Sequence, residues 1–159
     1  MKRLIVLGMS ALVAAALVPL ALADQVYHTQ KIALAPTNGA PLAAGRVQNI
    51  HPNGPTNYAH EIYFLNGALA NTTLYVFLLV YVDDTACSGP AGVHLNTATL
   101  VTNDHGHGTA DAFLTPQMAA GLRPQAGGTR EHGVRWELST DPLGADVVYA
   151  TTCSEVVLD

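Results

Sequence analysis

A chain of 159 residues with seven basic and twelve acidic side chains is mildly acidic and long enough for one domain with a real core. Lys and Arg are too few and too dispersed to grip phosphates, which argues against nucleic acid or an anionic membrane surface as partner. Arg123, Arg130 and Arg135 lie near one another, but Glu131 and Glu137 are interleaved with them, so they read as a mixed solvated face.

The chain opens with the basic "MKR" and the apolar run "LIVLGMSALVAAALVPLALA". Its end, Ala21 to Ala23, carries the small-x-small pattern that signal peptidase reads, so residues 1–23 are expected to be a signal peptide cut between Ala23 and Asp24. The competing reading is an uncleaved anchor, because the run is long enough to span a bilayer. Cleavage removes Lys2 and Arg3 and leaves one domain, 24–159, with a net charge of about −7. The expected location is secreted or periplasmic, and the style of the signal is bacterial.

Beyond residue 24 the pattern is β almost throughout. Strands are expected near 25–34, 44–50, 58–66, 73–83, 96–103, 108–114, 132–139 and 146–158. In "YAHEIYFLNG", Tyr58, His60, Ile62 and Phe64 alternate with Ala59, Glu61, Tyr63 and Leu65, which is the period of a strand. "TTLYVFLLVYVDD" is apolar on both parities. That suits a strand covered on both faces, or one whose outer face meets a partner, self-association included. "VRWELS" places Val134, Trp136 and Leu138 inward and Arg135 and Glu137 outward. "ADVVYATTCSEVVLD" is expected to be the closing strand or a bulged pair.

Turn signals rich in Gly, Pro, Asn and Asp separate these runs, and only "TPQMAAGL" has a helical look, with Pro116 at its first position and Gly121 as its stop. Seven to eight short strands with one short helix predict an all-β, antiparallel β-sandwich. The sequon at Asn71 reads more simply as a tight loop entering a strand. An exported chain meets an oxidising compartment, and two cysteines, Cys87 and Cys153, are expected to pair; the alternative is two free thiols, one of them nucleophilic.

"DDTACSGPAGVHLN" followed by "ATLVTNDHGHGTADAFL" resembles a stretch of the copper–zinc superoxide dismutases: an acidic turn into a cysteine, a Gly-rich loop ending in His-x-Asn, then a Gly-x-x-x-Ala-Asp-x-x-Gly hairpin. The resemblance implies a Greek-key sandwich and a bridge from Cys87 to a cysteine near the C-terminus. It covers about a third of the chain after residue 23. It departs from the family where copper chemistry would sit. The strand before the cysteine reads "LYVFLLVYV", without the family's His-x-His pair. His94 falls where a bridging ligand would be, but the zinc-loop histidines are absent. The fold is therefore read as dismutase-like or immunoglobulin-like, and the catalytic copper site is not carried over.

Seven histidines occur, all after residue 23. In "TNDHGHGTAD", His105 and His107 share a parity, so they leave an extended chain on one side. With His94 or His132, or with Asp104 or Asp111, they would form a copper or zinc site. The same letters also spell a hairpin turn, with Asn, Asp and Gly where such a turn needs them. A calcium loop is disfavoured by the imidazoles. No Gly-x-Ser-x-Gly, Gly-rich phosphate loop or His-Glu-x-x-His occurs. The expected function is a secreted, non-catalytic module with a binding or structural role and no cofactor, meeting an extracellular protein partner or itself. The alternative is a copper- or zinc-binding, dismutase-like protein using His105 and His107.

Overall fold

The structure is a computed structural model that describes residues 27–52, 59–115 and 131–157. The expected signal peptide, the Ala23–Asp24 junction, and the short helix from Pro116 lie outside the described residues. Within them every element is a strand: β1 (Tyr27–Pro36), β2 (Ala44–Pro52), β3 (Ala59–Asn66), β4 (Thr73–Val82), β5 (Val93–Val101), β6 (Gly108–Leu114), β7 (Glu131–Ser139), β8 (Val147–Thr151) and β9 (Ser154–Val157). The C-terminal run is thus a pair of strands, both of which pair with β7.

All pairings are antiparallel, and the hydrogen-bonded order is β5-β4-β7-β8-β1-β2-β3-β6. The sheet curls because β1 serves two neighbours: Tyr27 to Ala33 pair with β2, and Leu34 to Pro36 pair with β8. The two end strands, β5 and β6, then come together and nearly close a barrel. Glycine permits their approach. A Cβ on Gly108 would stand 2.6 Å from Leu100 Cδ2 and 2.9 Å from the Val101 carbonyl oxygen.

Alternation along each strand fills the barrel. Leu74, Val76, Leu78 and Val80 of β4 meet Val134, Trp136 and Leu138 of β7, all of them buried. Opposite them stand Val47 of β2 and Tyr63 and Leu65 of β3. Burying a side chain of this size contributes roughly 1.5–3 kcal/mol. Tyr149 secures one end: its hydroxyl donates to the Pro41 carbonyl and accepts from the Leu69 amide, each at 2.9 Å, tying two loops together.

β4 is buried on its inner face and partly covered on its outer one. Its outward Phe77 and Tyr81 are also buried. Phe77 packs 4.8 Å from the His94 ring, close to Gly144. Gly133, the partner of Tyr81, lies under the Cys87–Cys153 disulfide. Phe77 and Tyr81 are thus covered within the chain, while the outward Tyr75 and Leu79 are half-buried.

Candidate functional site

The register of β1, β2, β3 and β6 sets out an outer face row by row. One row crosses Thr29, Ile50, His60 and Phe113, and the next crosses Lys31, Gln48, Ile62 and Asp111. A third crosses Ala33, Arg46, Phe64 and Thr109. Side chains directly opposite share a face, and each of these is exposed or half-buried.

Three contacts organise this face. His60 Nε2 lies 3.3 Å from Asp111 Oδ2. The same imidazole stacks on Phe113, with ring centroids 4.1 Å apart and planes 10° from parallel. The Arg46 guanidinium sits 4.7 Å above the Phe64 ring. Between these groups lie two shallow depressions that share Thr109. One, of about 300 Å³, is lined by His60, Ile62 and Asp111. The other, of about 320 Å³, is lined by Phe64, Val101 and His107. Phe113 and Val101, both more than half exposed, are two of the large apolar side chains on the described surface. Lys31 and Arg46 face outward here, whereas Arg135 pairs with Glu137 at 3.3 Å on the opposite side of the barrel.

The expected metal ligands do not converge. His105 and His107 stand exposed on the turn between β5 and β6, with ring centroids 6.3 Å apart. Asn103 builds that turn: its Oδ1 accepts the backbone N–H of His105 at 2.9 Å and of His107 at 3.0 Å. Asp104 lies 3.7 Å from His105, while Asp111 is engaged with His60. His94 packs on Phe77. His132 is buried in β7, where its Nδ1 accepts the Asp83 N–H at 3.3 Å and its Nε2 has no partner. Burial holds its pKa below the ordinary imidazole value, against a smaller opposing pull from Asp83. Among the described residues no three His, Cys, Asp or Glu side chains form a group able to hold a metal.

Cys87 and Cys153 are bridged, with Cα atoms 5.8 Å apart, and neither thiol is free. The loop into Cys87 is shaped by Asp84. Its carboxylate accepts the amides of Ser88 and Gly89 at 2.8 Å and of Ala86 at 3.1 Å. These bonds, led by that from Gly89, hold its pKa below the ordinary carboxylate value.

Sequence reasoning missed a polar cluster inside the barrel. Glu61 is fully buried. The Tyr63 hydroxyl donates to its Oε2, and Asn49 Nδ2 donates to its Oε1 at 3.3 Å. Asn49 Oδ1 in turn meets His51 Nδ1 at 3.1 Å, and Tyr63 Oη meets Thr97 Oγ1 at 2.8 Å. Burial raises the Glu61 pKa, and the bonds from Tyr63 and Asn49 only partly offset it. Tyr63 is pushed up as well, first by burial and then by the adjacent carboxylate.

Protein-family models, curated proteins and solved structures give no match to this chain.

Proposed function

We propose that this chain is an exported, non-catalytic binding module, and that its binding surface is the outer face of β3 and β6. The observation that carries this reading is His60, held between the Phe113 ring and the Asp111 carboxylate on a face that is otherwise open. An apolar ring beside oriented donors and acceptors is the chemistry that recognises sugars. Phe113 offers a stacking surface, while His60, Asp111, Gln48 and Thr109 offer hydrogen bonds to hydroxyls. The depressions are shallow, which favours an extended polysaccharide chain lying across the strands. The disulfide supports an oxidising compartment, and hence export. The chain passes from β3 to β4 and from β6 to β7 between the two halves of the sheet, an order that supports a Greek-key relationship to the dismutase-like sandwiches.

The test is nuclear magnetic resonance of the isotopically labelled mature chain titrated with soluble polysaccharides of neutral and of carboxylated type. Shifts gathered on residues 60–64 and 109–113, lost in Phe113→Ala and in His60→Ala, are the expected result. Perturbations confined to other strands, or none with any polysaccharide, would overturn the reading. A second reading, a copper or zinc site, is favoured by the two exposed imidazoles of His105 and His107. Elemental analysis of untagged protein offered both metals, compared with His105→Ala/His107→Ala, distinguishes it: retention above the double variant supports it, equal retention sinks it.

A further inference from the structure

Glu61 is enclosed from every side. Asn49 faces it from β2 with His51 behind, Ala112 pairs with it from β6, and Tyr63 shares its own strand. Trp136 approaches from β7, and Thr97 reaches the cluster from β5 through Tyr63. The titratable members are Glu61, Tyr63 and, through Asn49, His51. No Lys or Arg is paired with Glu61 among the described residues. A buried carboxylate without a cation is costly, so hydrogen bonding has to decide its state.

Counting hydrogens decides it. Asn49 presents its amide to Glu61, so its Oδ1 can only accept, and His51 Nδ1 must carry the hydrogen between them. At the other end, Thr97 Oγ1 lies 3.4 Å from the Val76 carbonyl oxygen, which accepts only. The donation from Tyr63 to Glu61 is the arrangement of an ionised Glu61; with a proton on Glu61 Oε2 the bond reverses and the chain runs one way. Glu61 donates to Tyr63, Tyr63 to Thr97, and Thr97 to Val76, so that each hydroxyl gives one hydrogen and receives one. Without that proton, Tyr63 must turn its O–H to the carboxylate. Tyr63 Oη and the Val76 carbonyl then compete for the single hydrogen of Thr97. The ionised chain is one hydrogen short.

The missing bond falls at a distinctive place. Val76 pairs with Ala98 and Phe77 with Asn96, so Thr97 is the extra residue of a β-bulge. The geometry points to a proton latch: protonated Glu61 directs the hydrogen-bond chain across the barrel so that Thr97 clamps the β4–β5 bulge, and ionisation of Glu61, with its proton passing to water, releases that clamp. The raised pKa of Glu61 agrees with a proton retained above the ordinary carboxylate range. The sign follows. A carboxyl that holds its proton more tightly folded than unfolded contributes stability fully below the unfolded value, and that stability is lost as pH rises through the folded value.

The experiment is direct titration of the Glu61 side-chain carbon by ¹³C resonance in the mature, oxidised chain. It is combined with amide hydrogen exchange around Val76, Phe77 and Ala98 between about pH 5 and pH 9. The expected result is a Glu61 transition above the ordinary carboxylate value of about 4.3. Across it, bulge amides should exchange at least about tenfold faster than intrinsic base catalysis explains, which is about 1.4 kcal/mol of lost protection. Glu61→Gln, whose amide supplies the missing hydrogen at every pH, should remove that increment. A Glu61 that titrates at the ordinary value, or bulge exchange with the same pH profile in wild type and Glu61→Gln, would overturn the latch. If Glu61→Gln fails to fold, Thr97→Val replaces it. That variant has no clamp, so its bulge should exchange fast at low pH as well, and a pH increment as large as that of the wild type would count against the proposal.

Discussion

Tyr63 and Thr97, separated by 34 residues in the chain, meet at 2.8 Å across the barrel because β5 carries one residue more than β4 opposite it. In regular pairing, residue 97 would belong to a two-residue alternation. The bulge frees it to join the inner cluster, half-buried, with its hydroxyl reaching both Tyr63 and the Val76 carbonyl. A methyl in place of that hydroxyl would leave a buried phenol short of a partner. Thr97→Val is therefore expected to lower stability by about 1–3 kcal/mol in urea unfolding at acidic to neutral pH, the cost of an unsatisfied buried polar group. Thr99→Val, at an exposed position of the same strand, should be nearly neutral.

Gly133 stands where nothing larger fits. A Cβ there would lie 2.3 Å from the Asp84 carbonyl oxygen, 2.8 Å from Cys87 Sγ and 3.0 Å from Cys153 Sγ. The backbone carbonyl cannot swing aside as a flexible side chain would. Gly133→Ala is expected to cost about 1–3 kcal/mol through forced backbone displacement. It should also raise the fraction of free thiol in freshly purified protein, read by a thiol-reactive dye. Full oxidation together with an unchanged melting temperature would contradict this account of the packing.

Strand positions are legible in the sequence because period-two alternation is a property of each segment alone. The stretches around Ile62 and Trp136 carry it, the run around Leu78 reads as a strand through its β-branched and aromatic residues instead, and each is a strand. The choice of face is not local. In β3, His60, Ile62 and Phe64 are about as apolar as Glu61, Tyr63 and Leu65, so alternation alone cannot say which set turns inward. Neighbours decide: Asn49, 12 residues away, donates to Glu61, and Thr97, 36 residues away, reaches it through Tyr63, which makes an inward Glu61 tolerable. The bulge at Thr97 is equally silent, since "VHLNTATLV" holds no glycine or proline to announce it. His105 and His107 were legible as a turn because Asn103 and the glycines act within six residues. Whether other histidines approach them depends on the closure of the barrel.

Asn103 is the turn's organiser, and its removal should separate structural from chemical roles. Asn103→Ala deprives two backbone N–H groups of their acceptor at once. The expected loss is about 1 kcal/mol, because the exposed amides recover water in part. His105→Ala and His107→Ala leave those bonds in place and should fall within about 0.5 kcal/mol of wild type. A larger loss in either histidine variant than in Asn103→Ala would show that the imidazoles themselves hold the turn.

Asp84 gives the disulfide loop a pH response opposite in sign to that of the buried acid. Its folded pKa is depressed, chiefly by the Gly89 amide. The stability it contributes is present above the unfolded carboxylate value and is lost as pH falls through the folded one. The loop should therefore stay closed through mild acid and open only once Asp84 takes a proton. A phosphine reductant remains active in acid and reads this opening as the rate at which the Cys87–Cys153 bridge is cleaved. The expected wild-type profile is flat from neutral pH down to the ordinary carboxylate range and rises below it. In Asp84→Ala the Ser88 and Gly89 amides have no acceptor at any pH, so cleavage should be fast throughout. A wild-type rate that climbs at or above the ordinary carboxylate value would mean that some other group opens the loop, with His132, whose Nδ1 holds the Asp83 amide, as the one to substitute next.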